Sequence, residues 1–444
     1  MAVNTSVLDA DREFVFHPWR AQRDILQFEV VRGEGVYFYD ATGKRYLDFH
    51  SGWGHLNLGH QPPRVIAAIT EQVQRLCNVT PDYAHAPAAQ LAERLAGLTP
   101  GDLSKVFFST GGTDAVETAI KMARAITGRP KIISRYRSYH GNTYGAGTVS
   151  GDPRRFPLEP ALPGSLRALD HYCYRCPFGL QYSSCNVHCA DHIGELIELE
   201  GANSVAAVIA EPVVSANGGL VPPPEYWPRL REICDRYGVL LIADEVVTGL
   251  GRTGEWFACD HWNVVPDLIV LAKGLTAGLM PLGAVVVRAE LARYFDDHYL
   301  PAGLTYQSHP VSCAAGLATI AAIEQDGLIE NACRMGAELQ AGLHALAERH
   351  PSVGDVRGLG LYGTLELVKD RATKEPLVAW NAPASETQGT QELNRRLIAR
   401  GVRVAVRWNR LAVAPPLICG PAELAEGLAA IDEALDAADQ FYKG

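Results

Sequence analysis

Two short apolar runs near the middle of the 444-residue chain each end at a charged residue. Residues 239–243 are followed by Asp244, and residues 268–272 are followed by Lys273. Both runs are strand-length, rich in Val, Ile and Leu, and bounded by Gly or Pro, which favours buried parallel strands over helices. Ligands of open α/β sheets bind beyond the carboxyl ends of the strands. An acid and an amine at two such ends therefore indicate a shared site.

This acid and this amine suit one cofactor chemistry. A lysine can hold pyridoxal phosphate as a Schiff base, and a carboxylate can keep the pyridine nitrogen protonated, so that the ring acts as an electron sink. The alternative is an exposed lysine after the strand and an aspartate that caps a helix, since lysines are mostly exposed. The residues at the ends of neighbouring strands help to decide between a cofactor site and this alternative.

Composition indicates a globular enzyme rather than a nucleic-acid-binding or membrane protein. Apolar residues make up 47% of the chain and charged residues 20%, which is ordinary for such a domain. The net charge of −10 argues against nucleic acid as a partner. No run approaches the ~20 apolar residues of a membrane helix. The N-terminus lacks the pattern of a secretory signal, so a cytoplasmic location and mostly reduced cysteines are expected.

The order of the predicted elements indicates an α/β large domain and a small α+β domain. Residues 1–60 are predicted as an N-terminal segment that joins the small domain, with an irregular arm over 1–30 and a hairpin or short meander over 30–49. Residues 61–310 are predicted as the large domain. Residues 311–444 are predicted as the small domain, in which helical segments alternate with two strand pairs.

A Gly-rich turn follows the predicted strand at 105–108 and precedes a predicted helix. The turn reads Thr110-Gly111-Gly112-Thr113-Asp114. Free backbone N–H groups and the helix dipole favour a phosphate at such a place, and glycines let the backbone approach closely. Many turns between a strand and a helix are Gly-rich for steric reasons only, which is the alternative here.

Two further loops lie at strand ends. Tyr139 follows the predicted strand at 131–134 and can stack on a flat cofactor ring or pack on its own domain. Glu211 follows the predicted strand at 205–210. Polar chemistry at several strand ends of one parallel sheet suggests a common site. In this chain, polar or charged groups follow four predicted strands: the phosphate-type turn, Glu211, Asp244 and Lys273.

A cysteine-rich stretch at about 170–192 is predicted as an insertion in the large domain. Its cysteines form two pairs, Cys173 with Cys176 and Cys185 with Cys189. With the Pro-Phe-Gly that follows the first pair, they resemble a structural zinc loop. The spacing between the pairs is shorter than in most zinc ribbons, so a thiol-rich insertion without metal stays the alternative. No catalytic metal is expected.

The most specific motif is LLIADEVVTGLGRTG followed by DLIVLAKGLTAG. On this motif the chain resembles the class III, fold-type I aminotransferases, from about residue 30 to 440. The resemblance implies a mostly parallel seven-stranded-type sheet flanked by helices, a small α+β domain, and pyridoxal 5'-phosphate as cofactor. It also implies that Lys273 is the Schiff-base lysine, that Asp244 is the partner of the pyridine nitrogen, and that Glu211 lies near the substrate and the cofactor's phenolic oxygen.

The resemblance implies further contacts with the cofactor. Val246 would pack on the ring face opposite Tyr139. Thr305 would reach the phosphate in the neighbouring subunit, which implies a homodimer, or a dimer of dimers, with shared active sites. Three residues of the Gly-rich turn would hold the phosphate: Gly111, Gly112 and Thr113. The family's turn more often reads Asn-Ser-Gly-Ser-Glu, so this chain keeps the backbone donors but lacks a serine hydroxyl.

The expected activity is transfer of an amino group by a ping-pong mechanism. The donor would be an ω-amino acid or amine such as taurine, β-alanine or 4-aminobutyrate, and the acceptor pyruvate or 2-oxoglutarate. A bidentate cation suits the acceptor's carboxylate, and Arg407 is the candidate, with Arg410 as competitor and a solvated strand-face arginine as the alternative. Trp53 is placed in the substrate pocket. Gly54 stands where relatives that use bulky amines have tryptophan.

Two other functions stay open at this point. One is a different reaction of the same cofactor, such as decarboxylating transamination, an amino shift in an aminomutase, or a lyase reaction. The other is a non-catalytic module on the same fold, which predicts loss of the lysine or the aspartate. Both Lys273 and Asp244 are present, so the enzyme is the preferred interpretation.

Overall fold

The computed structural model describes residues 6–25 and 28–444. Three sheets and a set of flanking helices make up this part of the chain. In chain order its strands are β1 Val30–Glu34, β2 Tyr37–Asp40, β3 Arg45–Asp48, β4 Leu103–Ser109, β5 Lys131–Arg135, β6 Ser165–Ala168, β7 Val205–Ala210, β8 Leu240–Asp244, β9 Leu268–Leu271, β10 Gly283–Arg288, β11 Val353–Gly358, β12 Gly363–Asp370, β13 Glu375–Pro376, β14 Val402–Arg403, β15 Ala405–Arg407 and β16 Arg410–Val413.

The helices are mostly amphipathic and cover the sheets. None of the described helices is long and apolar enough to cross a membrane. In chain order they are α1 Val7–Phe14, α2 Ser51–Gly54, α3 Pro63–Arg75, α4 Ala86–Leu98, α5 Gly112–Thr127, α6 Tyr144–Val149, α7 His188–Glu200, α8 Tyr226–Tyr237, α9 Ala289–Ala292, α10 Tyr294–Asp297, α11 Pro310–Gln325, α12 Leu328–Arg349, α13 Gln388–Ala399 and α14 Pro421–Asp439.

The central sheet has seven strands in the order β4-β10-β9-β8-β7-β5-β6. Neighbours from β9 to β6 run parallel, whereas β10 is antiparallel to both β4 and β9. Strands β7 and β9 are buried along their whole length. Continuous apolar runs are what a parallel strand covered on both faces requires. The mostly parallel sheet of an α/β fold is therefore confirmed, with one antiparallel strand added.

Alternate residues of the central strands point to opposite faces and join different cores. In β8, Leu241 and Ala243 pack in one core with residues of α7, α8 and α11, while Ile242 packs in the other with residues of α5. This is the two-residue period of a strand. The sheet thus lies between two helical layers, and its carboxyl edge is left to the loops.

Two smaller sheets complete the fold, and one of them joins the two ends of the chain. The sheet β1-β2-β3-β14 pairs Leu47 of the N-terminal segment with Val402, and the other sheet has the order β11-β12-β16-β15, with β13 against β12. The antiparallel meander predicted over 30–49 is confirmed. Helix α11 packs on α3, α4 and α12, and the domain boundaries at 60 and 310 stay a prediction.

Helix α1 contradicts the expectation of an irregular arm over residues 1–30. Ser6 is its N-cap and accepts the backbone N–H of Asp9 at 3.1 Å, which satisfies one donor of the first turn. None of the helix's own residues is buried, so the helix does not face the core of the described chain. Residues 1–5 and 26–27 lie outside the described part of the chain.

Candidate active site

A cavity of about 390 Å³ opens where the parallel strands of the central sheet end. It brings together most of the site residues expected from the sequence, which come from five separate loops. They are Gly111, Gly112, Thr113, Tyr139, Glu211, Asp244, Val246 and Lys273. Strand β8 pairs with β9, and this pairing places the aspartate beside the loop that carries the lysine.

Lys273 stands two residues beyond the last residue of β9 and is buried. Burial lowers the pKa of its ammonium group to about 8, although the charges of Asp244 and Glu211 oppose the shift. Its φ of +43° lies in the left-handed region, where a residue other than glycine is uncommon and where strained residues of functional sites are often found. A neutral amine near physiological pH is what a nucleophile or general base needs.

Asp244 is buried at the end of β8, and both of its oxygens have a protein donor. Its Oδ1 accepts the backbone N–H of Val246 at 3.1 Å, and Nδ1 of His140 lies 2.7 Å from its Oδ2. The His140 side chain is fully buried. Reasoning from the sequence missed His140, although its position directly after Tyr139 in a loop at a strand end was a signal.

Glu211 connects two loops at the end of β7. Its Oε1 accepts the backbone N–H of Tyr139 at 3.0 Å, and its Oε2 accepts the backbone N–H and the hydroxyl of Ser215 at 2.9 and 3.0 Å. Burial raises the pKa of the Glu211 carboxyl, and the charge of Asp244 adds to the shift. The carboxylate therefore ties the Tyr139 loop to the Ser215 loop, and both loops line the cavity.

The ring of Tyr139 carries a cation that the sequence did not reveal. The guanidinium carbon of Arg154 lies 3.5 Å from the ring centroid, and the ring of Trp19 stands edge-on at 6.2 Å. A guanidinium over an aromatic face is attracted by the ring quadrupole. The positive charge of Arg154 also contributes to the low pKa of Lys273.

Asp152 links Arg407 to Arg154, the cation that lies over the Tyr139 ring. Its buried carboxylate accepts hydrogen bonds from Nε of Arg154 at 2.7 Å, Nδ2 of Asn217 at 3.0 Å and Nη1 of Arg407 at 3.3 Å. Arg407 does not line the cavity itself. It is paired with an acid of this chain, and its side chain is about one third exposed, at 34%.

Arg410 is a buried cation whose guanidinium lacks hydrogen-bond acceptors in the described part of the chain. Its Nε, Nη1 and Nη2 atoms are buried, and among the described residues none of them has a hydrogen-bond partner. Burial lowers the pKa of its guanidinium to about 9. The rings of Trp380 and Trp408 lie 5.1 Å from its guanidinium carbon. A buried unpaired charge is costly, which points to an acceptor supplied by a ligand.

The Gly-rich turn has the form of a phosphate site. Helix α5 begins at Gly112, and no side chain caps its first turn, so backbone N–H groups are available to an anion. A Cβ atom at Gly112 would lie 3.1 Å from Cγ1 of Val246. The turn therefore lies directly against the residue expected on a ring face of the cofactor.

Besides Arg407, two further expected residues lie away from the cavity lining in this chain. Trp53 is 58% exposed, and Thr305 is exposed in the loop before α11. Gly54 has a φ of +72°, and a Cβ atom there would lie 3.5 Å from Cγ1 of Val247, which does line the cavity. The roles assigned to Trp53 and Thr305 stay predictions.

The four cysteines of the predicted insertion line one small cavity of about 20 Å³. All ten cysteines are free thiols. Helix α7 begins at His188, so the end of this stretch is helical and packs on α8. In residues 6–25 and 28–444, the one set of three potential metal ligands with all atoms within 4.8 Å is His350, Asp436 and Asp439. The cysteine sulfurs are not gathered that closely.

A buried amine, a buried carboxylate and an uncapped helix N-terminus in one cavity are the groups that a pyridoxal phosphate enzyme of fold type I needs. The family model for class III aminotransferases matches residues 19–435. The taurine–pyruvate aminotransferase of Bilophila wadsworthia is 36% identical over 97% of this chain and 97% of its own length. The leucine/methionine racemase of Thermococcus litoralis is 39% identical over 91% of this chain and 90% of its own length.

A solved structure agrees with these matches. The taurine:2-oxoglutarate aminotransferase of Bifidobacterium kashiwanohense, in complex with PLP and glutamate, has a TM-score of 0.93 at 37% identity and covers 98% of both chains. The chain belongs to the class III aminotransferases. It is an aminotransferase with the fold-type I architecture, its cofactor is pyridoxal 5'-phosphate, and its substrates are an amino donor and a 2-oxo acid.

Proposed function

We propose that this enzyme moves the amino group of an ω-amino acid or amine to pyruvate or 2-oxoglutarate by a ping-pong mechanism, as a homodimer in the cytoplasm. Donors of the taurine, β-alanine or 4-aminobutyrate type fit best. The observation that carries the proposal is Arg410, a buried guanidinium that has no acceptor among the described residues. Its Nη1 atom would lie 3.5 Å from a Cβ atom at Gly218, two residues after Ala216 of the cavity lining. A donor or acceptor with an anionic group would supply that acceptor. Similarity to two taurine aminotransferases supports the same donor class.

Lys273 and Asp244 carry the chemistry in this proposal. When bound, pyridoxal phosphate supplies an electron sink for the substrate carbon. Lys273 would hold the cofactor through its aldehyde and, once free, would carry the proton that moves to and from the substrate carbon. Asp244 would keep the pyridine nitrogen protonated, and His140 holds Asp244 in place.

The remaining cofactor contacts are proposed for residues that line the cavity. Tyr139 and Val246 would cover the two ring faces, and Glu211 would lie near the cofactor's phenolic oxygen. Thr305 is exposed in one chain, which fits a role at the partner's phosphate in a homodimer. Three residues at the start of α5 hold the chain's own phosphate: Gly111, Gly112 and Thr113.

Substrate recognition is assigned to two arginines with different tasks. Arg410 has no acceptor in residues 6–25 and 28–444 and would take the carboxylate of the 2-oxo acid. Arg407, the candidate from the sequence, is held by Asp152 at 3.3 Å and would meet the distal anionic group of the donor. Gly54 leaves room beside Val247, and Trp53 would border the substrate from the exposed side.

A screen of amino donors against both oxo acids tests the proposal. Taurine, β-alanine, 4-aminobutyrate and a neutral amine are each supplied with pyruvate or with 2-oxoglutarate, and the new amino acid is measured. Lys273→Ala is expected to form none. Normal turnover by that variant, or turnover confined to α-amino acids without any ω-amino donor, would contradict the proposal.

A different reaction of the same cofactor is the second candidate. It is favoured by two findings, the 39% identity to a racemase and the 34% identity to an ammonia-lyase of Vibrio splendidus. A racemase, aminomutase or lyase needs no oxo acid, whereas a transaminase turns over only while an acceptor regenerates the cofactor. Product analysis with and without an oxo acid separates the two functions.

A further inference from the structure

A second cavity, of about 290 Å³, shares no lining residue with the candidate active site. One loop nonetheless contributes to both, because Arg137 lines the second cavity and Tyr139 lines the first. The rings of Phe156, Tyr172 and Trp380 form part of its wall. The volume is near the lower end of ligand cavities, roughly 300 Å³. The second cavity is therefore large enough for a small flat molecule.

Arg137 lies between two of these rings. Its guanidinium carbon is 4.1 Å from the centroid of Trp380 and 4.8 Å from that of Tyr172. Within residues 6–25 and 28–444, its side chain donates no hydrogen bond to any acceptor; the carboxylate of Asp170 accepts only its backbone N–H, at 3.1 and 3.3 Å. A guanidinium carries five N–H donors along its edge, and these remain for a ligand.

The other two cations of the lining already have partners. Arg155 pairs with Glu159, and Nε of Arg175 lies 2.5 Å from Glu366. Asp170 is the acid among the described lining residues. Its carboxylate interacts with the positive charge of Arg135 as well as with that of Arg137. The positive charge of Arg137 is therefore incompletely balanced.

A second cation without hydrogen-bond acceptors among the described residues, Arg410, lies close to the Trp380 ring of the cavity wall. The guanidinium carbon of Arg410 is 5.1 Å from the Trp380 centroid, so Trp380 contacts both Arg137 and Arg410. The two positive charges act on each other and lower the pKa of Arg410, after the larger effect of burial. An anion bound at Arg137 would relieve this repulsion as well.

We infer that the second cavity binds a small organic anion with a flat body, an aromatic or conjugated carboxylate, through the edge of Arg137 and the rings of Tyr172 and Trp380. Aromatic walls suit a flat body, and a guanidinium edge suits a carboxylate. This inference does not depend on which donor or acceptor the enzyme uses. Because the loop from Arg137 to Tyr139 borders both cavities, the bound anion also fixes the segment on which Tyr139 stands.

Calorimetric titration of the holoenzyme with benzoate tests the binding. The cofactor is first blocked with aminooxyacetate, so that the active site cannot take the probe. Saturable binding of benzoate is expected, with at least tenfold weaker binding of the neutral isostere benzamide. Absence of binding to the blocked holoenzyme, or equal binding of both probes, overturns the inference.

Variants assign the site. Arg137→Gln is expected to weaken benzoate binding at least tenfold, while Arg395→Gln, which removes an exposed charge paired with Glu392, stays within twofold of wild type. Equal binding by Arg137→Gln and wild type overturns the inference. Anomalous scattering from 4-bromobenzoate in crystals of the wild-type holoenzyme needs no variant. A bromine peak beside Arg137 is expected, and a peak in the first cavity alone would refute the site.

Discussion

The Nδ1 atom of His140 lies 2.7 Å from Oδ2 of Asp244, and the two side chains are 0% and 4% exposed. The other carboxylate oxygen accepts the backbone N–H of Val246 at 3.1 Å. Asp244 is thus fixed from two sides, by the loop after β5 and by its own strand end. Hydrogen bonds in such a buried network are stronger than in water, so the orientation of the carboxylate depends on His140.

Replacing His140 with Leu is expected to lower kcat/KM about 10- to 100-fold, because a buried hydrogen bond to a charged group contributes about 1.5–3 kcal/mol. His140 acts through Asp244, so the absorbance of bound pyridoxal phosphate should also change. His140→Gln, which keeps a donor, is the matched variant and should recover part of both signals. Wild-type kinetics and spectrum in His140→Leu would show that Asp244 does not depend on this contact.

The low pKa of Lys273 predicts how fast the apoenzyme takes up its cofactor. Only the neutral amine attacks the aldehyde, so the attachment rate should rise with pH and level off above a midpoint of about 8. At pH 7 about a tenth of Lys273 is then neutral, against about one in 3,000 for an ordinary lysine. Stopped-flow absorbance over pH 6 to 10 measures the midpoint, with Lys273→Ala as the blank. A midpoint above 10 would contradict the burial of the amine.

The elements predicted best are those with a strong one-dimensional signal. The ends of β7 agree with the predicted strand at 205–210 to the residue, because an uninterrupted apolar run fixes them. Lys273, Asp244 and Glu211 were found for the same reason, since each directly ends such a run. Strand β10 reads like its parallel neighbours, and its reversed direction depends on the connection rather than on its own residues.

The contacts that the sequence did not reveal are made between loops. Asp152 and Arg154 stand in a polar stretch that looks like a solvated turn, yet Asp152 is buried and holds two arginines. His140 meets Asp244 across 104 positions of sequence. The sequence around Arg410 gives no local sign that its guanidinium is buried without a hydrogen-bond partner in the part of the chain that the structure describes. Such pairings depend on how the loops fold over the sheet, which periodicity does not encode.

Gly112→Ala is expected to weaken pyridoxal phosphate binding about tenfold, or about 1.4 kcal/mol. The added Cβ would lie 3.1 Å from Cγ1 of Val246, so the phosphate turn and a ring contact would shift together. Cofactor titration of the apoenzyme measures the affinity. Gly97→Ala in α4 is the control, since a Cβ there meets nothing within 4 Å. It should leave the affinity unchanged and stabilise the fold by about 0.5–1 kcal/mol.

Arg410→Met separates stability from substrate binding. Replacing a buried, unpaired cation with an apolar side chain removes a desolvation cost, so the variant's melting temperature should stay the same or rise. Its KM for the 2-oxo acid should rise at least about tenfold, because a charge-assisted contact contributes about 1.5–3 kcal/mol.

Arg407→Met is the comparison variant for Arg410→Met. It leaves the buried Asp152 with one donor fewer, so it should lower the melting temperature and act mainly on the KM of an anionic amino donor. If Arg410→Met melts several degrees lower and binds the oxo acid like wild type, the guanidinium is a structural group and the carboxylate site must lie at Arg407. The melting temperature and the KM for the 2-oxo acid of the two variants together show which arginine binds the acceptor's carboxylate.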